Sequence, residues 1–398
     1  MITALKHMLR RGMYRCVDLL VRPGKGRESN ALLVIRLDAI GDYVLFRNFL
    51  EVLRQSSTYG GCHMTLLGNS AWRELAEQLD SGVVDRFVWL DRNRFGKNPF
   101  YRYGMLKKMA SGGYTTLLHP TYARERDVGD NIVRLVGAKE KIGYDGDVFN
   151  LSEKEKAVGN AAYTKLIPAE SGEVFEFYRN KHFFEYLLGT TLAIEKPSMA
   201  CPQSDVGMPL PAKYAVLFIG ASSPYRQWPM PFFGEIAVHL VDMHDLDIVF
   251  CGGPEDRAAG KAVTAFIPER CRGRVLDLTA RTTLTQLCSV ICHASLLVSN
   301  ETSAPHFAVA TDTPVAVIYN GKHYGRFTPY PAEMTACYSA VLHPAIGADT
   351  EAYMKRSNRR GYDARLDIGE ITVAQVKGAV DRLLAKPACR TKGGAVHG

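Results

Sequence analysis

Leu32-Leu33-Val34-Ile35-Arg36-Leu37-Asp38-Ala39-Ile40-Gly41-Asp42 is an apolar run that closes on two acids and a glycine. Its branched side chains and short length mark a buried strand. From Tyr43 to Arg54 the apolar residues Val44, Phe46, Phe49, Leu50 and Leu53 recur at helical spacing, which puts Asp42 at a helix entry. Strand, glycine turn and helix N-terminus together predict a site. In open α/β sheets, side chains and free backbone N–H groups converge at the carboxyl ends of the strands.

The same alternation continues along the chain. Short strands are expected at Met64–Leu67, Arg86–Leu90 and Thr115–Leu118, with helices at Ala71–Leu79 and Tyr103–Ala110. The aromatic stretch Phe175–Leu188 reads as a helix that packs in a core. Pro197, Pro202, Pro209 and Pro211 then mark a linker. A second series of strands follows at Tyr214–Ile219, Asp247–Phe250, Val275–Leu278, Leu296–Ser299 and Val315–Tyr319, with helices near Pro231–Val241, Leu284–His293, His306–Ala310 and Ile371–Leu384. The expected fold class is α/β: two Rossmann-like, doubly wound domains whose carboxyl edges face each other across a cleft. The boundaries are a basic amphipathic extension at 1–30, a first domain at 31–196, a linker at 197–212, a second domain at 213–370, and a closing helix with a disordered tail at 371–398.

At 398 residues, two domains are the default, and 46% hydrophobic with 23% charged residues suits a soluble globular protein. No apolar run approaches the ~18 to 20 residues that cross a bilayer. Lys6, Arg10, Arg11 and Arg15 interrupt any secretory signal, so a cytoplasmic location is expected. Nine cysteines, scattered without a repeated CxxC, suit reduced and mostly buried thiols. Cys288 and Cys292 are four apart on an expected helix and read as core residues rather than metal ligands. The first thirty residues carry seven basic side chains against Asp18 and Glu28, which is five of the formal net charge of +8. Ile2, Leu5, Leu9, Met13, Val17 and Leu20 draw one apolar stripe between them. Such a helix either lies on an anionic membrane surface or packs on the first domain with its basic face in water.

Three loops carry the candidate chemistry. Asp42 would look into the cleft. In the second half, Gly220-Ala221-Ser222-Ser223 lets backbone N–H groups approach an anion, and Arg226 follows within reach. An ordinary strand-to-helix turn would use similar small residues. In Ser299-Asn300-Glu301-Thr302-Ser303-Ala304-Pro305-His306, Thr302 and Ser303 either cap a helix or hold a diphosphate, and Glu301 either accepts from sugar hydroxyls or orients the loop. His119, Tyr122, Arg124 and Arg126 form a polar cluster after a strand, serving an acidic acceptor or pairing with Glu125 and Asp127. Asp145-Gly146-Asp147 and Asp245-Leu246-Asp247 imitate the metal-binding DxD pair but read as solvated loop acids. Neither first loop offers a G-x-G-x-x-G, which argues against NAD. Positive charge confined to one terminal helix argues against nucleic acid.

Asp38-Ala-Ile-Gly-Asp42, Gly220-Ala-Ser-Ser with Arg226-Gln-Trp228-Pro229, and Asn300-Glu-Thr-Ser-Ala-Pro-His306 resemble the three signature stretches of glycosyltransferase family nine, the ADP-heptose:lipopolysaccharide heptosyltransferases. The resemblance spans roughly residues 31 to 384. It implies a GT-B architecture and an inverting transfer with no metal and no cofactor. Asp42 matches the acid expected as catalytic base, and Arg226 matches a basic residue, usually Lys, on the donor diphosphate. Glu255 matches a carboxylate near the nucleotide ribose. Glu301 stands where the family has an aspartate on the donor sugar, and Ser303 where glycine is common. The expected donor residues are Ser222, Ser223, Arg226, Glu255, Glu301, Thr302, Ser303, His306 and Lys322. Asp38, His119, Arg124 and Arg126 are the expected acceptor residues.

In this reading the donor is a nucleotide sugar, ADP-heptose first, and the acceptor a lipopolysaccharide core or similar glycan at the inner face of the cytoplasmic membrane. Asp42, with an ordinary carboxylate pKa of about 3.9, is ionised at neutral pH and able to take the acceptor's proton. A sugar-nucleotide epimerase on the same paired domains is one alternative. A non-catalytic subunit that binds nucleotide or membrane is the other.

Overall fold

The apolar run forms β1 (Ala31–Arg36), whose residues from Leu32 onward are all buried. It pairs in parallel with β2 (His63–Asn69) on one side and β4 (Thr116–His119) on the other. With β3 (Arg86–Leu90), β5 (Glu140–Tyr144) and β6 (Lys165–Ile167) these make a six-stranded sheet in the order β3-β2-β1-β4-β5-β6. Strands buried on both faces are what an all-parallel sheet demands, which is why β1 shows no polar alternation.

The second sheet comprises β7 (Tyr214–Phe218), β8 (Asp247–Cys251), β9 (Val275–Asp277), β10 (Leu296–Asn300), β11 (Val315–Tyr319) and β12 (Tyr338–Leu342). Its order, β12-β11-β10-β7-β8-β9, is the first sheet's order with each strand number advanced by six and read from the other edge. Both are the 3-2-1-4-5-6 arrangement of a doubly wound sheet, whose order reverses next to the first strand. In each unit that reversal, and the crevice it opens, lies between the first and fourth strands.

The computed structural model describes residues 12–14, 16–25, 30–170, 172–359 and 366–389. It divides into two units. One runs through Gly172 and adds Phe177–Ala193; the other takes Glu173–Glu176 and resumes at Ile194.

In the first unit, α1 (Ile40–Phe46) and α2 (Asn48–Gln55) follow β1, so the single helix expected from Tyr43 to Arg54 is broken at Arg47. Helices α3 (Pro99–Ala110) and α4 (Glu176–Leu188) also cover this unit. Phe49 stacks on Phe184 with ring centroids 5.1 Å apart, and Phe177, Phe183 and Phe184 are fully buried. The four phenylalanines of the aromatic stretch are core, as expected, whereas Tyr186 is exposed and Tyr178 only partly buried.

In the second unit, α5 (Met230–His244), α6 (Leu284–Cys292), α7 (Ala304–Ala310) and α8 (Val373–Ala385) pack around the sheet. Trp228 anchors that core: it is fully buried, and its indole N–H donates to the Ile371 carbonyl at 2.8 Å. Strands β5, β6 and β12 escape the sequence reading because charges, a glycine or small residues interrupt their apolar pattern.

Three expectations need correction. The proline-rich stretch is not a bare tether: the Met199 N–H donates to Ala310, and Cys201 is disulfide-bonded to Cys292. Cys337 pairs with Cys389 as well, so four of the nine cysteines are not reduced thiols. These pairs lie 91 and 52 residues apart in the chain, a separation at which local spacing carries no signal. Third, Leu20 is not on the buried stripe of the N-terminal helix. Tyr14, Val17 and Val21 are buried, whereas Leu19 and Leu20 are 83% and 70% exposed. The phase of that helix is set by Asp18, which takes both ends of the buried Arg102 guanidinium at 2.9 Å, and by the Tyr14 hydroxyl on Gly96. Ile2, Leu5, Leu9, most of the N-terminal cations and the tail from residue 390 lie outside the described residues.

Candidate functional site

At the switch point of the first sheet, Arg36 ends β1 with its side chain almost wholly buried. Its Nε stands 2.9 Å from Asp38 Oδ2, and its Nη2 is 3.8 Å from Asp42 Oδ1. Nη1 donates to the Pro120 carbonyl at 3.1 Å and to Asn180 Oδ1 at 3.0 Å. The guanidinium is thus locked from two sides and offers its remaining positive edge to two carboxylates. Asp38 also accepts from the Thr121 hydroxyl at 3.2 Å, which ties the end of β1 to the segment after β4. Asp42 sits in the first turn of α1, 16% exposed, with a carboxylate supported by a fixed cation. Arg36 is the residue the sequence reading passed over. Its signal was an arginine inside an otherwise apolar strand, where a charge persists only if paired.

The expected acceptor cluster divides. Arg126 is half-buried, pairs with Glu155 at 3.1 Å and lines a cavity of about 310 Å³ with Tyr14, Asp18, Asp130 and Arg134. Arg124 and His119 are interior residues, so neither presents a cation. Arg124 is fully buried, bonded to Asn160 and placed over the Tyr163 ring. His119 hydrogen-bonds Tyr163 through Nδ1 at 2.6 Å, and Tyr163 in turn donates to Asp130 at 2.6 Å. Because the phenol proton goes to the carboxylate, the imidazole must donate to the phenol oxygen. Burial first, then the Arg124 and Arg36 cations, lower the His119 pKa to about 3, so its ring is neutral. Polar residues after a strand do not reveal which of them turn inward.

At the switch point of the second sheet, Asn300 ends β10 and joins three segments. Its amide donates to the Ile219 and Gly220 carbonyls, both at 3.1 Å, and accepts the Trp228 N–H at 3.1 Å. This fixes the loop after β7 against the loop after β10. On that frame Arg226 donates to the Ser222 hydroxyl at 2.9 Å and to both the carbonyl and the carboxylate of Glu301. Burial pushes the Glu301 carboxyl up, and Arg226, then Lys322, pull the other way. Lys322 itself donates to the Tyr225 hydroxyl at 3.0 Å.

The remaining donor candidates are a mixed set. Thr302 caps α7, accepting the Ala304 N–H at 3.2 Å, while Ser303 occupies the N-cap position without a side-chain cap bond. Ser223 makes no cap bond either. His306 is buried and bonded to the Tyr330 hydroxyl at 2.7 Å, and burial lowers its pKa to about 4. Glu255 is exposed on the turn after β8. Its neighbour Asp256 is the buried acid of that turn, accepting the Gly253 N–H at 2.8 Å. A Cβ on Gly220 would lie 2.0 Å from the Asp256 carboxylate, which explains the glycine there. Both DxD look-alikes are engaged elsewhere: Asp145 pairs with Lys156, and Asp245 and Asp247 pair with Arg274.

Two doubly wound sheets of matching order, each with a charged cluster at its switch point, define an α/β protein of the GT-B class. Solved structures of that fold align over nearly their whole length. A family 9 glycosyltransferase from Veillonella parvula gives a TM-score of 0.67 at 16% identity, covering 89% of this chain and 99% of that one. Escherichia coli heptosyltransferase WaaC with ADP-2-deoxy-2-fluoro heptose gives 0.65 at 16% identity, covering 88% and 99%. The model of glycosyltransferase family 9 (heptosyltransferase) matches residues 131–358, more than half of the chain, and the chain belongs to that family. Lipooligosaccharide heptosyltransferase 2 of Haemophilus influenzae is 22% identical over 225 residues, 56% of each chain. Lipopolysaccharide heptosyltransferase 2 of E. coli is 25% identical over 140 residues, 35% of each. The matched stretches therefore span about half or less of these relatives.

Proposed function

We propose that this chain is an inverting glycosyltransferase that moves a heptose from a nucleotide diphosphate donor, ADP-heptose first, onto a lipopolysaccharide core or similar surface glycan. The observation that carries the reading is the Arg36 guanidinium with Asp38 and Asp42 around it at the first sheet's switch point. In this reading the first unit supplies the base and the acceptor contacts, and the second supplies the donor contacts.

Asp42 takes the proton of the acceptor hydroxyl as that oxygen attacks the anomeric carbon from the face opposite the leaving diphosphate. Arg36 holds the carboxylate in place. As the glycosidic bond breaks, negative charge grows on the diphosphate. Arg226, Ser222 and the backbone N–H groups of the Gly220–Ser223 turn stabilise it. No metal ion takes part in this scheme. Arg126 and Asp38 remain the acceptor-side residues, and Lys322 and Thr302 flank the donor.

The work is assigned to the inner face of the cytoplasmic membrane. Among the described residues no helix is long and apolar enough to cross a membrane. The exposed Leu19 and Leu20, with Arg22 and Lys25 just beyond them, suit a surface attachment.

The test is a binding and turnover screen of ADP-, UDP-, GDP- and CMP-sugars with and without a truncated lipopolysaccharide acceptor. The reading expects ADP release that requires both ADP-heptose and acceptor, undiminished by EDTA. Preference for another nucleotide would overturn the donor, and sugar conversion without acceptor would point to an epimerase.

A further inference from the structure

A second cluster lies on the opposite edge of the second unit and takes no part in the proposed transfer. His239 and His244 lie on the last turns of α5, and Asp381 lies on α8. The Nε2 atoms of His239 and His244 stand 2.7 Å and 2.6 Å from the same Asp381 oxygen, Oδ1. All three ligand atoms lie within 4.8 Å of one another. We propose that His239, His244 and Asp381 form a zinc site that clasps the C-terminal helix α8 to the end of α5.

The donor set is two borderline imidazole nitrogens and one hard carboxylate oxygen, with the fourth position open to water. That combination suits Zn²⁺ rather than Mg²⁺ or Ca²⁺, which prefer oxygen alone. Both imidazole nitrogens already share one carboxylate oxygen, which gathers the three ligand atoms at one place. The nearby acid on α5 is already committed: Asp242 forms a two-pronged pair with Arg270 at 2.6 Å and 2.8 Å. Asp381 is left to serve both imidazoles. A tetrahedral zinc with bonds of about 2.0–2.2 Å needs its ligand atoms roughly 3.4 Å apart. To admit the ion the carboxylate has to withdraw by roughly one to two ångströms, and at 48% exposed Asp381 has room to do so.

Topology separates this site from the donor loops. β8 begins at Asp247, three residues after His244, so the end of α5 lies at the amino edge of the sheet. Arg226 and Glu301 lie at the carboxyl edge, about one length of α5 away, roughly 20 Å. A metal here ties down the last helix of the fold without touching the reacting groups, and the ring protons it displaces go to solvent.

The experiment uses the untagged full-length chain, stripped with EDTA, desalted and titrated with zinc alone, beside His244→Ala and Asp381→Asn. Both substitutions are at partly exposed positions. The expected result is one zinc per chain, with affinity reduced by at least about 100-fold in either variant. Zinc at about a hundredfold excess over its Kd should raise the melting temperature of the second unit by about 5–10 °C in the parent chain and not in the variants. Cobalt substituted for zinc should give a tetrahedral spectrum without thiolate charge-transfer bands, which separates this site from the free cysteines. No stoichiometric zinc, equal binding by both variants, or a thiolate signature in the cobalt spectrum overturns the proposal. So does stabilisation that follows pH but not zinc.

Discussion

Glu301 accepts from Arg226 through both its carboxylate and its backbone carbonyl, so the two charged groups expected on the donor are bound to each other. Anionic donor binding then competes with an internal carboxylate for one guanidinium. Glu301→Gln keeps an acceptor for Arg226 but removes the competing charge, and should tighten ADP binding by up to about tenfold, the scale of one charge-assisted hydrogen bond. Arg226→Ala leaves the Glu301 carboxylate buried without its cation. It should weaken ADP binding and destabilise the second unit by about 3 kcal/mol. Calorimetric titration with ADP reads both, and weaker ADP binding by Glu301→Gln would make Glu301 a direct donor contact instead.

The Arg36 cluster makes a parallel prediction in the first unit. Asp42→Asn should fold normally and lose about 100- to 10,000-fold in turnover, the range for removal of a general base. Arg36→Lys keeps the charge but cannot reach Asp38, Pro120 and Asn180 together, because an ammonium lacks the planar fork. It should cost about 2 kcal/mol in stability and lower turnover while leaving ADP affinity unchanged. Comparing turnover with ADP affinity in the two variants separates base chemistry from donor binding.

How much of this was legible beforehand follows from the kind of signal involved. β7 and β11 are continuous apolar runs, as is β1 up to Arg36, and their buried character can be read without any partner. The edge strand β6 begins on Lys165, and β5 opens on Glu140 and Lys141, since an edge or a strand end tolerates charge. Asp42 and Arg226 were visible because loops after buried strands are short and few. The inward turn of Arg124 and His119 was not, because it depends on Tyr163 and Asn160, some forty residues further on. Asn300 lay within a quoted stretch, yet its role as the pin between two loops appears only when the ends of β7 and β10 stand side by side.

The paired cysteines are a plain case of long-range information. The described residues hold five free cysteines, Cys16, Cys62, Cys251, Cys271 and Cys288. Alkylation of the oxidised, denatured chain should therefore label five thiols, and nine after reduction. The Cys337–Cys389 bond closes a loop of 52 residues, and in the chain-entropy account its reduction should cost the second unit about 4 kcal/mol. Labelling of nine thiols without reductant would show both bonds to be absent in solution.

The buried His306 makes stability of the second unit depend on pH, and the sign can be worked out. Its pKa falls from an ordinary 6.5 to about 4 because burial penalises the imidazolium. Between those two values the unfolded chain binds a proton that the folded chain refuses, so protonation pulls toward unfolding. The stability is present in full above about pH 6.5 and is lost as pH falls toward 4, by about 3 kcal/mol at the lower end. Tyr330 keeps its own proton throughout, since burial raises its pKa well above the usual value, and it continues to bond the ring. His306→Gln retains a partner for that hydroxyl but cannot titrate. Denaturant unfolding of the two proteins from pH 7.5 to 4.5 should show a steeper slope in the parent chain than in the variant, which keeps only the contribution of other groups such as His119, whereas equal slopes would mean that the ring charges freely in the folded state.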